Sequence, residues 1–196
     1  MSARSSTGRA RAAAALSALA AAGALALAAG PLQAATSDAE VTVNAGSLGL
    51  STPDFAPQSA TLTGTAQVVS TSPGTPWTAT DARGTGAPWS VTASATDLVS
   101  VGSPNRSIAA ANLRLTTGAV TAGTGADPAT GIGGTASSPF TVPTGPGQTN
   151  VTVLSAPGPH RGSYAFTPQL DITIPATAQP SHAGSPYTAT LTVTIS

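Results

Sequence analysis

The last ten residues, YTATLTVTIS, alternate without a break. Side chains on a strand point to opposite faces with period two. Tyr187, Ala189, Leu191, Val193 and Ile195 therefore share one face, and Thr188, Thr190, Thr192, Thr194 and Ser196 share the other. A segment with one apolar and one hydroxylated face fits a half-buried strand of an antiparallel sheet. A helix would need apolar residues every three or four positions. The same period recurs in YAFTPQLDITI, with Tyr164, Phe166, Leu170, Ile172 and Ile174 inward and Thr167, Gln169, Asp171 and Thr173 outward. WSVTASATD puts Trp89, Val91, Ala93 and Ala95 on one side, and shorter runs lie at 41–43, 60–70, 112–115 and 150–154.

Gly- and Pro-rich breaks separate these runs, and no amphipathic helical period follows residue 40. The pattern predicts an all-β fold: an antiparallel, immunoglobulin-like β-sandwich of about seven to nine strands in two packed sheets. Residues 118–148, rich in Gly, Thr, Ala and Pro, read as a long loop or insertion with a short strand at PFTV, 139–142.

The N-terminus has a different grammar. Arg4, Arg9 and Arg11 precede an Ala/Leu run from Ala12 to Ala29, and Pro31 and small residues follow. That is the three-part layout of a secretory signal peptide, here 1–34, with cleavage after Ala34 or Ala35. Residues 35–196 then form a single secreted domain. Cleavage removes three of the seven arginines and none of the seven acids, so the mature chain is slightly acidic. Such a balance excludes the basic footprint of a nucleic-acid binder. The chain has no cysteine, so a lipoprotein anchor, disulfides and thiol chemistry are all ruled out. All seven of its basic residues are arginine, in an Ala- and Gly-rich background that fits a high-GC bacterial genome, such as that of an actinobacterium.

Catalytic patterns are missing. There is no HExxH, no Gly-x-Ser-x-Gly elbow, no phosphate-binding loop and no EF-hand pattern. His160 and His182 sit in GPHRG and PSHAG, both read as loops. Asp97 and Asp171 read as solvated acids. Asn105 and Asn150 open sequences that match the glycosylation acceptor by coincidence. No catalytic residue, metal site or cofactor is expected.

The segment DARGTGAPW, Asp81 to Trp89, concentrates the remaining signal. It reads as the tip of a hairpin between 77–81 and 89–97. Parity puts Trp89 with the core, although a sugar platform is the alternative. Trp77 is open between core and exposed edge. Arg83 either grips a ligand carboxylate at the tip or pairs internally with Asp81.

This segment resembles the first signature of the WxL-domain surface proteins of Gram-positive bacteria. An Asp-x-Arg-Gly-Thr-Gly-like turn, here Asp81, Arg83, Gly84, Thr85 and Gly86, leads into Trp-x-Leu, here Trp89-Ser90-Val91. The closing signature is degenerate, with Val193-Thr194-Ile195 in place of a second Trp-x-Leu. The resemblance implies a divergent member attached non-covalently to the cell wall through peptidoglycan. It also implies a membrane-anchored surface partner with immunoglobulin-like domains. Arg83, Asp81, Trp77 and Trp89 are the candidate binding residues. The alternative is a structural or adhesive subunit acting by protein–protein contact, without direct wall binding.

Overall fold

The computed structural model describes residues 39–134 and 150–196, with the backbone of a two-residue strand at Ser138–Pro139 between them. The expected signal peptide and much of the PFTV stretch lie outside the described residues. Val43–Ser196 forms a compact unit, and residues 39–42 belong to a separate one.

Among the described residues the chain is all-β, apart from one short 3-10 turn at Ala110–Asn112. In order come β1 (Leu48–Ser51), β2 (Gln67–Thr71), β3 (Trp77–Asp81), β4 (Trp89–Ala95) and β5 (Leu98–Ser100). Next are β6 (Arg106–Ile108), β7 (Leu113–Thr116), β8 (Val120–Ala122), β9 (Gly133–Gly134) and β10 (Ser138–Pro139). The last four are β11 (Val151–Ala156), β12 (Gly162–Phe166), β13 (Gln169–Ile174) and β14 (Leu191–Ile195).

Every strand pair among the described residues is antiparallel. The strands form three four-stranded sheets, ordered β1-β3-β12-β8, β10-β7-β13-β2 and β14-β4-β11-β9, and a β5-β6 ribbon. The fold class is the expected one, and its partition is finer than two sheets. Residues 118–148 account for part of the difference. They carry β8, β9 and β10, and each lies at one edge of a different sheet. Side-chain alternation missed them because Gly133 and Gly134 have no side chain, and Val120 to Ala122 is nowhere fully buried.

The expected hairpin between 77–81 and 89–97 is not formed. β3 pairs with β1 and β12, whereas β4 pairs with β14 and β11. Asp81 to Trp89 is therefore a crossing between two sheets. The YAFTPQLDITI run also divides, because β12 and β13 belong to different sheets. Pro168, buried at the break, has no N–H to give a ladder. Parity survives the switch, so Tyr164 and Phe166 are buried while Leu170, Ile172 and Ile174 pack partly buried against the same core.

That core holds Val91, Ala93 and Ala95 of β4, Leu113 and Leu115 of β7, and Val153, Leu154 and Ala156 of β11. Two tryptophans fill it. Trp77 meets Phe55 and Phe166 edge-on at centroid distances of 5.6 and 5.9 Å. Trp89 tilts against Tyr164 at 5.7 Å, joining β4 of one sheet to β12 of another. Each indole N–H donates to a carbonyl, Trp77 to Pro53 and Trp89 to His160. A buried indole needs such an acceptor. In β14, Leu191, Val193 and Ile195 turn toward the core, and Thr192 and Thr194 are exposed.

Candidate functional site

Asp81 follows Trp77 and Ala79 in step along β3, so its carboxylate points inward. Its side chain is 0% exposed, against 27% for Arg83. Burial of a bare carboxylate would be costly, and Arg83 removes that cost. Asp81 Oδ1 accepts from the Arg83 backbone N–H at 3.0 Å and from Nε at 2.9 Å. Oδ2 accepts from Nη2 at 3.0 Å, and the same Nη2 donates to the Ala87 carbonyl at 2.8 Å. The guanidinium thus ties both ends of the crossing together. Its hydrogen bond holds the Asp81 carboxyl below the ordinary carboxylate range, and burial opposes that shift.

Beside it lies a second knot. The Tyr164 hydroxyl reaches the Asp127 carbonyl at 3.0 Å and the Arg161 carbonyl at 2.9 Å, so one proton is shared between two acceptors. Arg161 Nε donates to Asp127 Oδ2 at 2.9 Å across a more exposed pair. Buried His160 stands edge-on to Tyr164, with Nδ1 3.2 Å from the Pro128 carbonyl. DARGTGAPW, GADPATG and GPHRGSY are thereby tied to one another.

Asp81, Arg83, Trp77 and Trp89, the four candidate binding residues, are placed as follows. Trp77 and Trp89 are 1% and 3% exposed, which hides both ring faces from any sugar. Asp81 and Arg83 pair with each other through Nε and Nη2 of the guanidinium, and the Arg83 side chain is 27% exposed. The internal-pair alternative describes Arg83, and the core alternative describes both tryptophans.

The other sequence candidates do not converge. Asp97 accepts from the Ala110 backbone N–H at 2.8 Å and steadies the 3-10 turn. Asp171 accepts from Ser70 at 2.6 Å and Gln169 at 2.8 Å, and these two bonds keep its carboxyl below the ordinary range. His182 receives no help from His160. Its backbone N–H donates to Ser100 Oγ, and its Nε2 lies 3.0 Å from the Pro104 carbonyl. Among the described residues no three of His, Asp or Glu gather into a metal-binding group.

The feature that sequence reasoning missed is an apolar cleft. Two adjoining hollows of about 650 and 660 Å³ share Gln58, Leu98, Ile172, Pro186 and Tyr187 in their linings. The first has an apolar floor of Val69, Leu98, Ile108, Ile172 and Ile174, with Gln58, Thr61, Gln179 and Ser181 around it. The second is lined by Leu170 and Ile172 of β13 on one sheet and by Leu191 and Val193 of β14 on another. Among the described residues, Asp54 is the one charged residue lining either hollow. Arg106 stands at the margin, where its Nη1 donates to the carbonyl of the lining residue Pro180. Segments some 120 residues apart build this cleft, so no local motif announces it.

The fold defines the class: an all-β chain of antiparallel sheets with a mostly apolar cleft. No family model, curated protein or solved structure matches the chain. The likeness to WxL surface proteins rests on the residues quoted for it.

Proposed function

We propose that this chain is a secreted surface subunit that acts by protein–protein contact through the apolar cleft. One observation carries the reading. Inward-facing Leu170, Ile172, Ile174, Leu191 and Val193 are only partly buried, and four of them line each other's hollow across two sheets with almost no charge. Concave, mostly apolar surfaces with a few polar groups are where proteins take ligands. The wall-binding reading keeps one support, the WxL-like Asp81 to Trp89 segment. On that reading the protein attaches to peptidoglycan and meets a membrane-anchored immunoglobulin-like partner.

Two assays separate the readings. Contact through the cleft predicts concentration-dependent association of the mature chain in sedimentation, weakened by Ile172→Glu. Wall attachment predicts enrichment on purified peptidoglycan over a non-binding β-sandwich, unaffected by Ile172→Glu. A mature chain that associates with neither itself nor a co-secreted partner, and does not pull down, would defeat both.

A further inference from the structure

Val41-Thr42-Val43 reads as a strand in sequence, yet it joins no ladder among the described residues. Val41 and Val43 are 84% and 85% exposed. Two β-branched side chains held out in water on one short segment are an unpaid hydrophobic debt. The cleft has the opposite character: a floor of Val69, Leu98, Ile108, Ile172 and Ile174 that is lined but not filled. Charge fits as well. Glu40 precedes Val41 on the arm, and Arg106 sits beside Pro180 at the cleft margin.

We propose that the arm around Glu40–Val43 of one copy seats Val41 and Val43 in the cleft of a second copy, with Glu40 against Arg106. The proposal rests on the protein–protein reading and names the partner. An extended segment can present alternate side chains to a groove, with Thr42 facing away. Arm and cleft are different surfaces of the same chain, so the contact is head-to-tail. Head-to-tail contacts propagate into chains of copies unless the rotation closes a ring. The expected species is a concentration-dependent series of oligomers rather than a symmetric dimer.

A charge swap tests it on the mature full-length chain by sedimentation. Glu40→Arg alone and Arg106→Glu alone each weaken association about tenfold or more. Mixing the two single variants restores a complex, because the Glu40→Arg arm fits the Arg106→Glu cleft. Val41→Asp with Val43→Asp abolishes association, and these changes lie on an exposed arm that the core does not need. An arm that folded onto its own chain would give no complex on mixing, and that result overturns the proposal. Oligomers indifferent to the arm variants also overturn it and leave the contact reading standing. A strict monomer that binds no partner defeats both.

Discussion

Gly162 opens β12 opposite Asp81 and has φ +108°, a conformation that side chains resist. A Cβ there would lie 2.7 Å from the Cα of Ala126, so backbone would have to move. Gly162→Ala should destabilise the protein by about 2 kcal/mol or more, read from urea unfolding. An unchanged midpoint would show that the 124–126 turn yields freely. The Asp81–Arg83 pair gives a different residue-scale expectation. Arg83→Ala strands a buried carboxylate, so it should lower Tm and raise the Asp81 pKa, as burial goes unopposed. Adding Asp81→Asn should recover part of the loss, because the stranded charge is removed. A double variant worse than Arg83→Ala by the full cost of Asp81→Asn would mean the two residues are not coupled.

At the scale of elements, one edge of each four-stranded sheet is managed by shortness. β8, β9 and β10 are 3, 2 and 2 residues long, too short to template another chain. β9 is held on β11 through Leu154 and Ser155, and a Cβ on Gly134 would come within 2.2 Å of Thr117 Oγ1. That hydroxyl donates to the Val153 carbonyl, so it cannot rotate away cheaply. Gly134→Ala should lift β9 and speed amide exchange along β11 while β4 keeps its protection. Equal exchange in both proteins would show that β9 does not cover β11. The same elements show what the sequence makes legible. Alternating strands such as β4, β12, β13 and β14 announce themselves because large side chains mark the buried face. Glycine edge strands carry no such mark. Partnership is also silent, since β3 and β4 look like a hairpin until Asp81 and Arg83 turn the chain into another sheet. The cleft was illegible for a related reason: Gln58, Ile172 and Tyr187 meet only in the finished fold.

Across the whole molecule, no disulfide supports the fold, so its response to acid falls on paired carboxylates and the core. Asp81, Asp127 and Asp171 all have depressed pKa values, each chiefly through side-chain hydrogen bonds. A depressed folded pKa stabilises the native state above the unfolded value, about 4 for a carboxyl, and the gain is lost as pH falls through the folded value. Stability from these groups should therefore be level from neutral pH to about 5 and decline below about 4. The contributions are unequal. Asp127 and Arg161 are 28% and 53% exposed, so solvent and salt screen their pair. Asp81 is shielded, and its share should persist in high salt. Thermal unfolding at pH 7, 5 and 3 in low and high salt checks this. Asp81→Asn should flatten the acid limb at both salt levels, whereas Asp127→Asn should flatten it only in low salt. Identical acid limbs for Asp81→Asn and the parent chain would mean that the Arg83 clasp forms equally well around a neutral side chain.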